Sequence, residues 1–438
     1  MLKCGLACDN IWSVKNMKMK IKYSKNQNMY ILQAGFEYLL SLLVTGSFLA
    51  TLTKQLGMSD SLTGIIASFI SLGSLFQLLS LFLRGRRFKP TVIVLSVVNQ
   101  LLFLLLYIVP LGTGSSTTKS AVFVVLIFTA YIVYYLIHPK KINWMMSNVD
   151  DHHRGSFTAD KEIISLLAGM AFSFSMGALI DHFVAVNQIR TAFIISAVVM
   201  FVLLSLQTLS LIFTDEPLLP EGKKKNLIAG LRDLFSNKSM LCVMVVSVLY
   251  FIITHSASPF FSTYQLSELG FNLKLVTALT MLGSASRILV SKFWGNYADK
   301  KSFAKMFEKC LFLLAISFFC VFLATPENGK ITFALYYIFH GAALGGANSA
   351  LMNMVFDYAK VETRADSLAV CQAVSGIVGF LSTLAISPLI SHIQQNGNRF
   401  LGLPLYAQQV AALITVLIII VTIIFVHTVM LKQKKAED

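Results

Sequence analysis

Two charged side chains stand inside long apolar stretches, and these are the residues with most scope for chemistry. Glu37 lies in a run over 30–52, and Arg287 in a run over 272–294. A charge in hydrocarbon costs about 2.5–3.5 kcal/mol on insertion scales, so such groups mark candidate pathways. Gln33, Glu37, Ser41 and Thr45 recur every four residues and so form one polar stripe on a helix. Glu37 sits about 11 Å of rise from the start of its run. Arg287 sits about eight residues, a similar rise, from the loop expected at Gly295–Lys301 within the polar stretch "SKFWGNYADKKSF" over 291–303. The two fall in the same third of the membrane, so the expectation is an ion pair across a cavity, broken by a solute or a proton. A static pair, or an arginine snorkelling to the interface, is the plainer reading.

Histidines supply a second group of candidates, because imidazole titrates near neutral pH. His255 falls on one helical face with Ser247, Phe251, Ser258 and Ser262, and Pro259 predicts a kink there. His340 shares a face with Tyr337, Leu344 and Asn348. Tyr131, Tyr134 and His138 form a third stripe, read equally as a cavity wall or as packing. A lone helical histidine is often only a hydrogen-bonded packing residue. The "DDHHR" cluster at 150–154 is not expected to hold a metal, since consecutive residues on a turn make poor ligand geometry. Neither a metal nor another cofactor is expected.

The elements that position these residues follow from composition. Of 438 residues, 56% are hydrophobic and 13% charged, against about 25% charged in a soluble protein. Mean hydropathy is +0.71. Twelve apolar runs can be placed, each near the roughly 20 residues needed to cross a bilayer. They cover 30–52, 60–83, 90–110, 120–142, 158–182, 190–213, 240–263, 272–294, 304–324, 331–355, 367–390 and 405–430. In lipid such runs must be helices. The expected class is therefore an all-α polytopic membrane protein. Residues 1–29 carry six lysines and no apolar core, so they read as a basic cytoplasmic tail rather than a secretory leader. Six cysteines show no CxxC or metal spacing.

The formal charge of +15 is explained by topology rather than by nucleic acid. Counting from a cytoplasmic start, the outer gaps hold only Lys54, Lys119, Arg190, Lys274, Lys330 and Arg399, and 29 of the 36 cations fall inside. That is the positive-inside pattern, with both termini cytoplasmic. The longest gap, 214–239, contains "KKKNLIAGLRDLFSNK", read either as an amphipathic surface helix or as a solvated linker. It separates a bundle over 30–213 from one over 240–430, with a tail at 431–438.

The halves repeat. A shift of 210 residues places Leu72–Gly73–Ser74 on Leu282–Gly283–Ser284, Gly85 on Gly295, Asn143 on Asn353, Arg154 on Arg364, Ser165 on Ser375 and Gly169 on Gly379. Two six-helix halves of like orientation resemble the parallel-repeat plan of the major facilitator superfamily. The loop signature of that family, Gly-x-x-x-Asp-(Arg/Lys)-x-Gly-(Arg/Lys)-(Arg/Lys), is matched in part by Gly295, Asp299 and Lys300, with Ser302 in place of the later glycine. The partner copy "RGRRFKP" keeps Gly85 but has Lys89 where the acid belongs, and Arg86 beside Gly85 joins the gate candidates. The fifth run has Gly169 and Gly177 but lacks the proline of many antiporters of the family.

The resemblance implies a cytoplasmic gate. Asp299 would face the start of the fifth helix, near Arg154 and with Ser156 as a cap, because carboxylates favour helix N-termini. Gly295 would make a tight turn. The Lys89 loop would meet the start of the eleventh helix at Arg364 and Asp366. The function implied is secondary transport of a small organic solute by alternating access, coupled to protons, by a monomer in the plasma membrane. A transporter-like sensor is the alternative, and a membrane enzyme a weaker one. HExxH, GxSxG and P-loop motifs are all missing from the sequence.

Overall fold

The computed structural model describes residues 23–77, 79, 88–149, 154–216, 237–359 and 364–433. The chain is helical nearly throughout. Helices α1 (Lys25–Leu42) and α2 (Gly46–Gln55) meet at a bend of 41°. The bend has a local cause: Gly46 adopts φ +55°, a left-handed conformation that favours glycine. The Leu43 carbonyl freed at the break accepts the Tyr107 hydroxyl at 2.7 Å. Helices α3 (Asp60–Ala67) and α4 (Phe69–Phe76) follow, then α5 (Lys89–Ile108), α6 (Ser116–Met146), α7 (Arg154–Ala185) and α8 (Ile189–Phe213).

The second part contains α9 (Lys238–Ser256), α10 (Leu273–Lys300), α11 (Phe303–Phe322), α12 (Gly329–Tyr358), α13 (Arg364–Gln395) and α14 (Ala407–Thr428). After α9, Pro259 lies in a 3₁₀ turn and residues 264–268 form a π turn, so the expected kink is a full change of helix type. Among the described residues, eight helices are long and apolar enough to cross a membrane, or nine counting the bent α1–α2 pair. Large apolar side chains such as Val125, Leu289, Phe293 and Val421 are exposed on the outside of the bundle, as a lipid-facing surface requires.

Helices α1 and α5–α8 pack chiefly among themselves, as do α9–α14, while α2–α4 lie mainly against the second part. One apolar core runs from Met240 to Met430, and another from Leu40 to Leu203 with Leu273 added. The pairs α1–α7, α5–α6 and α5–α8 recur as α9–α13, α11–α12 and α11–α14. Small residues allow the closest approaches. A Cβ at Gly341 would lie 2.1 Å from the Gly283 carbonyl oxygen, which brings α12 directly onto α10.

One expected loop is helix. Residues 295–300 continue α10, and the break falls at Ser302, whose hydroxyl accepts the Lys305 N–H at 3.2 Å. Trp294 and Ala298, one turn apart, are buried, and the Trp294 indole donates to the Ala342 carbonyl at 2.7 Å. That burial extends the helix through the polar stretch. Gly295 is therefore an exposed helical residue and not a tight turn.

Candidate solute cavity and ion pairs

Helices α9, α12 and α13 enclose a cavity of about 460 Å³, within the span of roughly 300–1,000 Å³ usual for small-molecule sites. His255, His340 and Asn348 all line it. Helical spacing puts His340, Leu344 and Asn348 on one wall, and Ser247, Phe251, His255 and Ser258 on the facing one. Asn348 accepts the Tyr250 hydroxyl at 2.9 Å, which fixes its amide. The His255 ring lies nearly parallel to Phe251, at 11° and 5.5 Å. His255 Nδ1 lies 3.0 Å from the Phe251 carbonyl, which can only accept. In the neutral ring Nε2 is then the acceptor for the Ser71 hydroxyl, 2.9 Å away on α4. His255 thus ties the two parts of the chain together beside the cavity.

Glu37 does not meet Arg287. Its carboxylate oxygens both lie 2.5 Å from the Lys141 ammonium, and Gln33 donates to it at 2.5 Å. Lys141 and Glu37 are only 3% and 14% exposed. The neighbouring Lys141–Tyr134 and Tyr134–His138 contacts, at 5.5 and 4.9 Å, complete a cluster of α1 and α6. His138 Nδ1 is buried with no hydrogen-bond partner among the described residues. Ser41 bonds back to the Tyr38 carbonyl at 2.7 Å. Arg287 pairs instead with Glu162 of α7 at 2.7 Å, and these two are 33% and 47% exposed. The sequence reading missed both partners: Lys141 was counted among the cytoplasmic cations, and the acid Glu162 was not weighed. Pro139 would end or kink a helix, yet α6 runs through it to Met146, so Lys141 lies within the helix.

The gate residues divide into three groups. Gly85 and Arg86 lie outside the described residues, as do positions 150–153 of the "DDHHR" cluster and the 217–236 part of the linker. Arg154, Ser156, Asp299, Arg364 and Asp366 have helical backbones, but their side chains also lie outside the description. Helix α7 already runs at Arg154, so Ser156 stands inside it rather than at its cap. Lys89 does not reach α13. Its ammonium donates to the Ile212 and Thr214 carbonyls at 2.7 and 2.8 Å, where the C-terminal end of α8 attracts a cation. Lys300 is exposed at the end of α10.

Tyr23 lies before α1 and defines the proximal end of the bundle. Its hydroxyl donates to the Asp160 carboxylate, which pushes its pKa up to about 12. Among the described residues, contacts between the two parts concentrate at the opposite, distal end. Asp181 at the end of α7 accepts the Leu273 and Lys274 N–H groups at 2.9 and 2.6 Å, a carboxylate on the start of α10. Asp60 accepts from Gln394 at 2.9 Å and from Gln408 at 3.4 Å. Gln394 also reaches Glu268 at 3.3 Å. Ser61 bonds to Ser387. A Cβ at Gly64 would lie 2.0 Å from the Phe260 ring, so the two surfaces touch closely there.

This assembly of long apolar helices around a solute-sized cavity is that of a polytopic membrane transporter. The sequence profile of the Major Facilitator Superfamily matches residues 28–383, and the chain belongs to that superfamily. It is a transporter and not an enzyme. Similar solved structures include the nucleoside transporter NupG, with TM-score 0.68 and 13% identity over 94% of this chain and 99% of that one. An auto-inhibited peptide transporter of the POT family gives 0.68 and 14%, over 92% and 97%. A bacterial homolog of the human lysosomal transporter Spinster, inward-facing and unoccupied, gives 0.64 and 12%, over 92% and 95%. No curated protein matches the sequence.

Proposed function

We propose that the chain is a secondary transporter that moves a small organic solute across the plasma membrane by alternating access. In this reading twelve spans form two six-helix halves, 30–213 and 240–430, with both termini cytoplasmic. The observation that carries it is the pairing of a solute-sized cavity with contacts gathered at the distal end. With the cation-rich side in the cytoplasm, the distal end is extracellular, and the state described is closed outward. The fold neighbours bear the names of nucleoside and peptide transporters, which agrees with a solute of that size.

Coupling to protons is assigned to Glu37. Its carboxylate is buried against Lys141, so protonating it cancels the attraction and leaves the ammonium to find another partner. That supplies a two-state element one proton can bias. The cytoplasmic gate falls to Asp299, facing the start of α7 when the proximal end closes, with Arg287–Glu162 on the same two helices. The test is uptake into proteoliposomes with and without an imposed pH gradient. The parent protein should accumulate solute only with the gradient. Glu37→Gln should retain solute exchange but lose gradient-driven accumulation. Equal accumulation by this variant removes Glu37 from the coupling step, and a complete lack of solute flux in the parent supports a sensor.

A further inference from the structure

The cavity has a property that narrows its occupant. Among the described residues, sixteen line it and none is Asp, Glu, Lys or Arg. The buried charge of α1 is spent on Lys141, and Glu162 and Arg287 are spent on each other. A zwitterion or an ion entering the cavity would leave its hydration shell without meeting a free counter-charge, which is strongly unfavourable. The lining supplies two other things. One is aromatic surface, where the Phe251 and His255 rings stack nearly parallel, 5.5 Å between centres. The other is neutral hydrogen-bonding capacity. Asn348 is oriented by Tyr250, so its NH₂ group is left to donate. Gln372 presents an exposed side-chain amide. The Ser375 hydroxyl is fully buried and has no partner among the described residues.

Carboxamide side chains present a donor and an acceptor side by side, the complement of a heterocycle edge bearing the same pair. A ring stacked on aromatic surface while its edge is read by amides is the general way proteins hold flat heterocycles. We infer that the solute is uncharged and carries a flat heterocycle with an amide-like edge, as in a nucleobase or nucleoside, stacked on Phe251–His255 and read by Asn348 and Gln372. This deepens the transport reading by taking the α9–α12–α13 cavity as its solute site.

Binding of radiolabelled uridine and adenosine to the purified full chain tests it, with dialanine and glutamate as competitors. At least one nucleoside should bind saturably, and neither competitor should displace it. Gln372→Ala, at an exposed side chain, should weaken binding by about tenfold, the scale of losing one paired edge contact. Phe251→Leu should weaken it too while leaving glutamate and dialanine without effect. Saturable binding of dialanine or glutamate in place of the nucleosides overturns the inference. So does a lack of nucleoside binding by protein that melts cooperatively, or unchanged affinity in both variants. Counterflow in proteoliposomes separates this from the transport reading. Nucleoside binding without counterflow keeps the cavity assignment and removes transport, whereas dipeptide counterflow keeps transport and removes the assignment.

Discussion

Removing the Asp181 carboxylate should open the distal end. Asp181 accepts two backbone N–H groups at 2.9 and 2.6 Å, at the start of a helix in the other half. A hydrogen bond to a charged group is worth about 1.5–3 kcal/mol, and a carboxylate at a helix N-terminus about 0.3–1 kcal/mol when exposed. Asp181 is only partly buried, which puts the combined effect at the lower end. A loss of about 1–2 kcal/mol corresponds to a 5- to 30-fold change in a two-state ratio. Asp181→Ala should therefore raise the distal-open population by about that factor. Asp181→Asn, which keeps one acceptor and loses the charge, should give a smaller rise. The readout is a cysteine at Ser387, a buried residue bonded across the distal seam to Ser61. Its labelling by a membrane-impermeant maleimide is measured against the same protein without the added cysteine. When opening is fast relative to labelling, the rate tracks the open population. A labelling rate unchanged within about twofold, in a variant that keeps the parent melting temperature, would show that these bonds persist in both states and carry no gating.

Three further outcomes are expected. A methyl at Gly376 would lie 2.6 Å from the Ser71 carbonyl oxygen, so Gly376→Ala should speed distal labelling without lowering the melting temperature, because the clash exists only between the halves. Gly341→Ala should do the opposite, since its methyl would lie 2.1 Å from the Gly283 oxygen within one half; overpacking of this kind costs about 1–3 kcal/mol, seen as a fall in melting temperature. The Arg287–Glu162 pair is a third to a half exposed and so worth at most about 1 kcal/mol; Arg287→Glu should slow transport with little change in melting temperature, and adding Glu162→Arg should restore the rate.

Much of the fold was legible because insertion in lipid leaves so few solutions. Runs of apolar residues had to become helices, and the 210-residue repeat matched glycines that do similar work. Gly169 lies against Tyr38 of α1, and Gly379 lies against His255 of α9. Helix ends were less legible. The polar stretch after Ser291 looked like a loop, yet burial of Trp294 and Ala298 carries the helix through it. The cavity residues His255, His340 and Asn348 could be read from spacing because period fixes which side chains share a face. Pairing could not be read so. Glu37 and Arg287 are the most isolated charges in the sequence, and isolation suggested a mutual bond. Each found a nearer partner: Lys141, which a count of cations by side had set aside as topogenic, and Glu162, an acid that such a count leaves out.

The seam between α7 and α10 joins these observations. Asp181 meets Leu273, and Gly177 meets Leu273 and Thr277, in one antiparallel register. Glu162 and Arg287 lie further along the same two helices. Two antiparallel helices advance at the same rise per residue, so the register can be extended. It brings positions 299–300 level with 154–155. On the gate proposed above, Asp299 on α10 would serve the proximal end as Asp181 on α7 serves the distal one. The physics is the same at both ends, a carboxylate near unpaired N–H groups of a helix start. Rocking α10 against α7 about the Gly177 contact would exchange one latch for the other. On this account the loss of the acid at Lys89 is tolerable, because the alternation needs only the α7–α10 pair, and Lys89 is spent on holding the end of α8.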